Sequence, residues 1–332
     1  MPPAAGGLNG SIDAAAPGPA FDRPVPRDGY AWWYVDGMSD DGHHGITLIA
    51  FVGSVFSPYY AWARRKGPAE AENFCAVNVA LYTPGKGRWA LTERGSGALE
   101  RSATHLRVGP SGLHWDGQTL EIEINEWSSP LPRRVRGRIR VKPHALQARA
   151  HALDTRALHH WHPLAPCSRV EVSFTEPGLR WSGEGYLDMN WGDEPLERGF
   201  TAWDWSRAPL RDGRTAVLYD RAERAAADQR KTLALLLDPQ GGLETFEPPP
   251  RTRLATTPVW RVPRTVQRDP DSDGRVVRTL EDTPFYSRSM IRSRLLGEDV
   301  QAMHESLLLT RFEQTWVQAL LPFRMPRITR WP

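Results

Sequence analysis

His114-Trp115-Asp116-Gly117-Gln118-Thr119-Leu120-Glu121-Ile122-Glu123-Ile124 places an Asp-Gly pair between two stretches in which apolar and polar residues alternate. Period-two alternation puts every second side chain on one face of an extended chain. Asp-Gly tolerates the positive φ angles of a tight hairpin turn. The segment therefore reads as strand, turn, strand.

The same reading extends outward. Asp-Gly recurs at Asp28, Asp36, Asp41, Asp212 and Asp273, and alternation recurs in Val135–Val141, Arg169–Phe174 and Ala216–Tyr219. Six such dipeptides predict a meander of hairpins. Helical periodicity is scarce, and short helices are expected only near Arg221–Arg230 and Glu313–Leu321. The class predicted is all-β: two lipocalin-like β-barrel or sandwich domains in tandem with little helix. The expected division is a flexible N-terminal tail over residues 1–26, a β-domain over 27–150 and a second over 151–332.

Composition narrows the function. The chain has 332 residues, enough to bury a large core without staples, and carries 14 Trp. So much aromatic surface must face a core or a ligand. Net charge is +3, with basic residues spread among acids, which argues against nucleic acid as a partner. Cys75 and Cys167 lie in no ligand-type spacing and suit a reducing compartment. The first twenty residues lack the basic and apolar regions of a signal peptide. The longest nearly apolar run, Ile46–Phe56, is too short to cross a bilayer, so membrane contact is expected to be peripheral.

His159-His160-Trp161-His162 invites a metal reading. In a strand, however, His159 and Trp161 share one face while His160 and His162 share the other, so at most two imidazoles could meet a metal. No metal and no cofactor is assigned. Further on, Gly183-Glu184-Gly185-Tyr186-Leu187-Asp188 has the same offset and puts Tyr186 and Asp188 on one face. A pair of strands could thus present His159, Trp161, Tyr186 and Asp188 together, or bury the rings in the core and use Asp188 to cap a turn. Trp203-Asp204-Trp205 and Tyr30–Asp36 again set an acid beside large rings. His43, His44 and Met303-His304-Glu305 are given no catalytic role. Phosphate loops, GxSxG elbows and HExxH pairs do not occur in the sequence.

Longer strings carry a resemblance. Gly29–Tyr34 (GYAWWY), Ile49–Arg64 (IAFVGSVFSPYYAWAR), Gly183–Pro195 (GEGYLDMNWGDEP), Trp203–Arg207 (WDWSR), Leu280–Arg288 (LEDTPFYSR), His304–Leu307 (HESL) and Leu320–Arg327 (LLPFRMPR) resemble carotenoid 1,2-hydratases. The likeness extends from residue 27 to 327 and departs locally at His160, His162 and Cys167. It implies hydration of the terminal C1=C2 double bond of acyclic carotenoids such as neurosporene and lycopene, with no cofactor and with water as co-substrate. It also implies a His-x-Trp and a Tyr-x-Asp pair as the active residues: His159, Trp161, Tyr186 and Asp188.

Alkene hydration begins with protonation of the less substituted carbon, so Asp188 must stay protonated through desolvation in an apolar pocket. Trp161 and Tyr186 are expected to present ring faces to the resulting cation. His159 is expected to orient or reprotonate Asp188, or to act as base toward water. Trp316–Trp331 mixes aromatic and arginine residues and reads either as a membrane-contacting tail or as a terminal strand docked on the barrel. The expected location is the cytoplasm, at the inner photosynthetic membrane. Two alternatives remain: a lipocalin-like carrier without chemistry, and a glycan-directed protein pairing Asp188 with Asp193 or Asp204.

Overall fold

The computed structural model describes residues 11–13 and 18–329. The quoted hairpin forms as read: strands Ser111–Trp115 and Leu120–Trp127 pair Trp115 with Leu120. Asp116 Oδ1 closes the turn by accepting from the amides of Gln118 and Thr119. Val135–Val141, Arg169–Phe174 and Ala216–Tyr219 likewise lie inside strands Arg134–Pro143, His159–Glu176 and Thr215–Glu223. The protein is all-β, with short helical segments.

A fourteen-stranded sheet holds most of the first 192 residues. At its centre Tyr30–Ser39 pairs with Leu179–Gly192, and His159–Glu176 follows. Among the described residues every pairing is antiparallel except that of Arg327–Ile328 with Arg88–Arg94. The sheet curls on itself, because Leu48 and Val77 from one flank share a core cluster with Leu106, Leu113 and Leu120 from the other. Residue 150 falls in strand Arg149–Ala152, and the ladder continues past it; the change of sheet comes between Gly192 and Phe200. Seven further strands then form a second sheet, in the order Leu243–Thr245, Arg230–Leu237, Thr215–Glu223, Phe200–Pro209, Glu298–Leu308, Tyr286–Leu295, Arg275–Asp282.

Three departures from the sequence reading have physical causes. Asp36-Gly37 is no turn: both residues lie inside strand Tyr30–Ser39. A Cβ on Gly37 would stand 2.5 Å from Val170 Cγ1, and Asp36 is fully buried against Arg207. Only Asp41, Asp116 and Asp212 begin hairpin turns; Asp28 (φ 63°) instead accepts from the Ala69 amide, and Asp273 lies in a longer loop. The helix expected near Arg221–Arg230 is a strand end and one 3-10 turn, Arg224–Ala226, while Glu313–Leu321 contains helix Thr315–Leu320. An unexpected helix, Pro58–Arg64, is started by Ser57, whose Oγ accepts from the Tyr60 amide, with proline at the position that needs no donor.

Much of the expected tail lies outside the described residues. Its last part is packed: Phe21 is fully buried against Trp33, whose Nε1 donates to Pro19 O at 2.7 Å. Strand Tyr30–Ser39 separates two cores. Ala31, Trp33 and Val35 fill the curl of the first sheet, and Tyr30, Trp32 and Tyr34 face the second sheet. There they meet Trp203, Trp205, Val217, Tyr219, Met303 and Leu307. The candidate site lies in this space between the sheets.

Candidate active site

Strand alternation brings three of the four expected residues together. Trp161 and Tyr186 are fully buried, and Asp188 is 4% exposed. Trp161 stands opposite Asn190 in the ladder, next but one to Asp188. Asp188 Oδ2 accepts from Trp161 Nε1 at 2.8 Å and from Tyr186 Oη at 2.9 Å. Asp188 Oδ1 is buried with no hydrogen-bond partner among the described residues. Burial pushes the Asp188 carboxyl up to about 8; the two donors oppose this, and Glu305 and Asp36 add to it. The acid is therefore largely protonated at neutral pH.

His159 is on the same face but is not joined to Asp188. It aligns with Gly192, four residues or ~13 Å further along the strand at ~3.3 Å per residue. Its Nδ1 shares a 2.8 Å hydrogen bond with Tyr30 Oη, and its Nε2 lies 3.3 Å from Glu194 Oε1. Burial lowers its pKa, against the opposing pull of Asp154 and Glu194. Gly192 and Gly199 make room for the ring: a Cβ on Gly199 would stand 2.3 Å from His159 Nε2. His159 therefore makes no hydrogen bond to Asp188. His160 stacks on Trp191 at 5.1 Å, and His162 Nε2 bonds Gln147 O at 2.8 Å.

Asp188 forms part of the wall of a small cavity of about 40 Å³ with Trp32, Tyr34, Asn190, Trp203, Trp205, Tyr219 and Glu305. These rings, and not those of Trp161 and Tyr186, face the space beside the acid; Trp161 and Tyr186 hold the acid instead. Trp32, Tyr34, Trp203 and Glu305 also line a larger cavity of about 340 Å³, walled further by Phe51, Phe56, Phe285 and Tyr286. The two spaces adjoin. At the outer end of the larger one stand Leu320, Phe323 and Arg324, with Phe323 76% exposed.

Aromatic side chains thus line both spaces, and the buried acid stands at the smaller one. The sequence profile described as carotenoid hydratase CrtC matches residues 48–332. The chain belongs to the carotenoid hydratase family. It is 53% identical over 97% of its length to the acyclic carotenoid 1,2-hydratase of Thiocapsa roseopersicina, covering 78% of that protein. It is also 53% identical, over 93% of its length, to the acyclic carotenoid 1,2-hydratase of Rubrivivax gelatinosus, covering 76% of it. In fold, this family member is similar to kievitone hydratase from Nectria haematococca, with a TM-score of 0.54 at 9% identity, covering 87% of this chain and 92% of that one.

Trp203 and Trp205, which the sequence sets beside Asp204, both line the small cavity, and alternation separates them from that acid. That carboxylate faces the other side of its sheet, where it takes Arg230 Nη2 at 2.8 Å and Thr265 Oγ1 at 2.6 Å. Asp204 is therefore no partner for Asp188, and Asp193 lines neither cavity. Glu305, set aside with His304, lines both cavities because Met303, Glu305 and Leu307 share the inner face of strand Glu298–Leu308. The signal was present in the alternation; its partner strand was not.

Proposed function

We propose that the protein adds water across the terminal C1=C2 double bond of an acyclic carotenoid such as neurosporene or lycopene, giving a 1-hydroxy tertiary alcohol. Asp188 gives its proton to C2, and the positive charge settles on C1, which carries two methyl groups. Water adds to C1 and loses a proton. The reaction transfers no electrons, so acid, base and water suffice and no cofactor enters the scheme.

The observation that carries this reading is an acid kept protonated by burial at the inner end of an aromatic channel. A carrier would gain nothing from such a group. The rings of Trp32, Tyr34, Trp203, Trp205 and Tyr219 can stabilise the cation by about 2 kcal/mol where water is excluded. The nearby guanidinium groups would oppose it, but Arg207 is paired with Asp36, and Arg288 with Glu281 and Glu305. In this reading His159 is a positioning residue: with Tyr30 it fixes the end of strand His159–Glu176, on which Trp161 holds Asp188. Conversion of lycopene by purified protein in oxygen-18 water tests the proposal. The label should appear in a tertiary alcohol, and Asp188→Asn should abolish it; an unlabelled product or an active Asp188→Asn would refute the reading.

The channel takes only one end of so long a polyene. The remainder must stay in an apolar phase, which the mouth can meet: Leu320 and Phe323 are exposed beside Arg324, and exposed Trp316 stacks on Trp260 of the cavity wall. Aromatic and arginine residues together suit a bilayer interface. Among the described residues no helix is long and apolar enough to cross a membrane. We therefore include peripheral contact with the cytoplasmic face of the membrane; Arg330 and Trp331 of the expected tail lie outside the described residues. Replacing Leu320 and Phe323 by serine should abolish flotation with liposomes. Unchanged flotation would refute this part.

A further inference from the structure

Hydration needs a proton acceptor as well as a proton donor, because water attacking a tertiary cation must lose a proton. We infer that Glu305 is the catalytic residue that takes this proton, binding the attacking water on the side of the small cavity opposite Asp188. The inference rests on the hydration reading above.

Three observations support it. First, the two carboxyl groups come from different sheets: Asp188 from strand Leu179–Gly192 of the first, Glu305 from strand Glu298–Leu308 of the second, and both line the small cavity. An alkene end between them would have its proton source on one side and a carboxylate on the other. Second, Glu305 is held by one oxygen only. Arg288, itself 1% exposed, donates through Nε at 3.0 Å and through Nη2 to the same Oε1. Oε2 therefore remains available to accept from water. Third, Asn190 lines the same cavity, and its buried Nδ2 carries two hydrogens, of which neighbouring Tyr219 can take one and leave the other for a water. A water bound there would donate to Glu305 Oε2 and accept from Asn190 Nδ2, with a second lone pair directed at C1.

The step balances. The C2–H bond forms as the Asp188 O–H bond breaks. The C1–O bond then forms, and the water proton passes to Glu305. Return of that proton to Asp188 through solvent in the cavity restores both groups, so the net change is one alkene and one water to one alcohol. The ion pair with Arg288 holds the Glu305 carboxylate in place for this task. Because Arg288 also meets Glu281 and Tyr82, its own charge is compensated and does not oppose the cation.

A base that captures the cation is separable from an acid that forms it. In heavy water Glu305→Gln should still protonate the polyene, but the uncaptured cation would lose a proton again, to the Asp188 carboxylate. Hydration should fall by roughly 10²-fold, within the range of general-base effects. Meanwhile recovered polyene should gain deuterium or a terminal isopropenyl group. Glu305→Asp, which keeps a carboxylate but draws it back from the cavity, should recover part of the hydration, and it supplies the test if the glutamine variant does not fold. Asp188→Asn should lose both hydration and exchange. If Glu305→Gln hydrates within threefold of the parent, or loses exchange together with hydration, the assignment is wrong. If the unaltered protein forms no tertiary alcohol at all, the hydration reading fails first.

Discussion

Two buried aspartates on neighbouring strands, Asp36 and Asp188, share the space between the sheets and differ in what faces them. Asp36 is fully buried, accepts from Tyr34 Oη at 2.8 Å and from Arg207 Nε at 2.7 Å, and so has a cation to balance it. Asp188 receives only the neutral donors Trp161 Nε1 and Tyr186 Oη. Similar burial thus supports an ion pair in one case and an acid that keeps its proton in the other. A buried carboxyl becomes a proton donor when hydrogen bonds hold it but no charge repays its ionisation.

The comparison can be broken from either side. Asp188→Asn keeps an oxygen for both donors but has no proton to give, and should lower conversion roughly 10³-fold, measured by mass spectrometry of the product. Arg207→Met makes Asp36 as poor in charge as Asp188. Removing one partner of a buried ion pair costs about 3–5 kcal/mol. Urea denaturation should show a loss of that size, and a loss below about 1 kcal/mol would mean that Asp36 finds other compensation.

Proton linkage sharpens the contrast. Asp188 binds a proton in the folded chain that the unfolded chain releases near its ordinary value of about 4. Its contribution to stability is therefore complete below pH ~4 and is lost as pH rises through about 8, with a slope of up to about 1.4 kcal/mol per pH unit. That component should vanish in Asp188→Asn, and the activity of the unaltered protein should fall above pH ~8. The smallest effect is expected for Trp161→Phe, which removes a donor favouring the charged form. The alkaline limb of activity should move to higher pH, and a downward shift would contradict the role given to Trp161.

The strands were legible where one face is wet. In Leu120–Trp127 Leu, Ile and Ile alternate with Glu and Asn, and the register follows. Tyr30–Ser39 was opaque for the opposite reason: both faces are buried, so Trp32 and Trp33 look equivalent although they enter different cores. Trp161, Tyr186 and Asp188 could be grouped because each pair sits on one strand with a two-residue offset. The distance between His159 and Asp188 could not, since it depends on cross-strand register and on the irregular pairing between His162 and Ser168. Glu305 is read as a site residue only once strand Glu298–Leu308 is seen to face the first sheet.

The parallel pairing of Arg327–Ile328 with Arg88–Arg94 bears on how the cavity is assembled. Arg327 bonds Glu93 across 234 positions of sequence, and the segment leading to it supplies Leu320, Leu321, Phe323, Arg324 and Met325 to the cavity wall. Contacts so distant along the chain carry the greatest loop-closure cost and form late. Enclosure of the larger cavity therefore depends on a closing segment that one short pairing ties to the far edge of the first sheet.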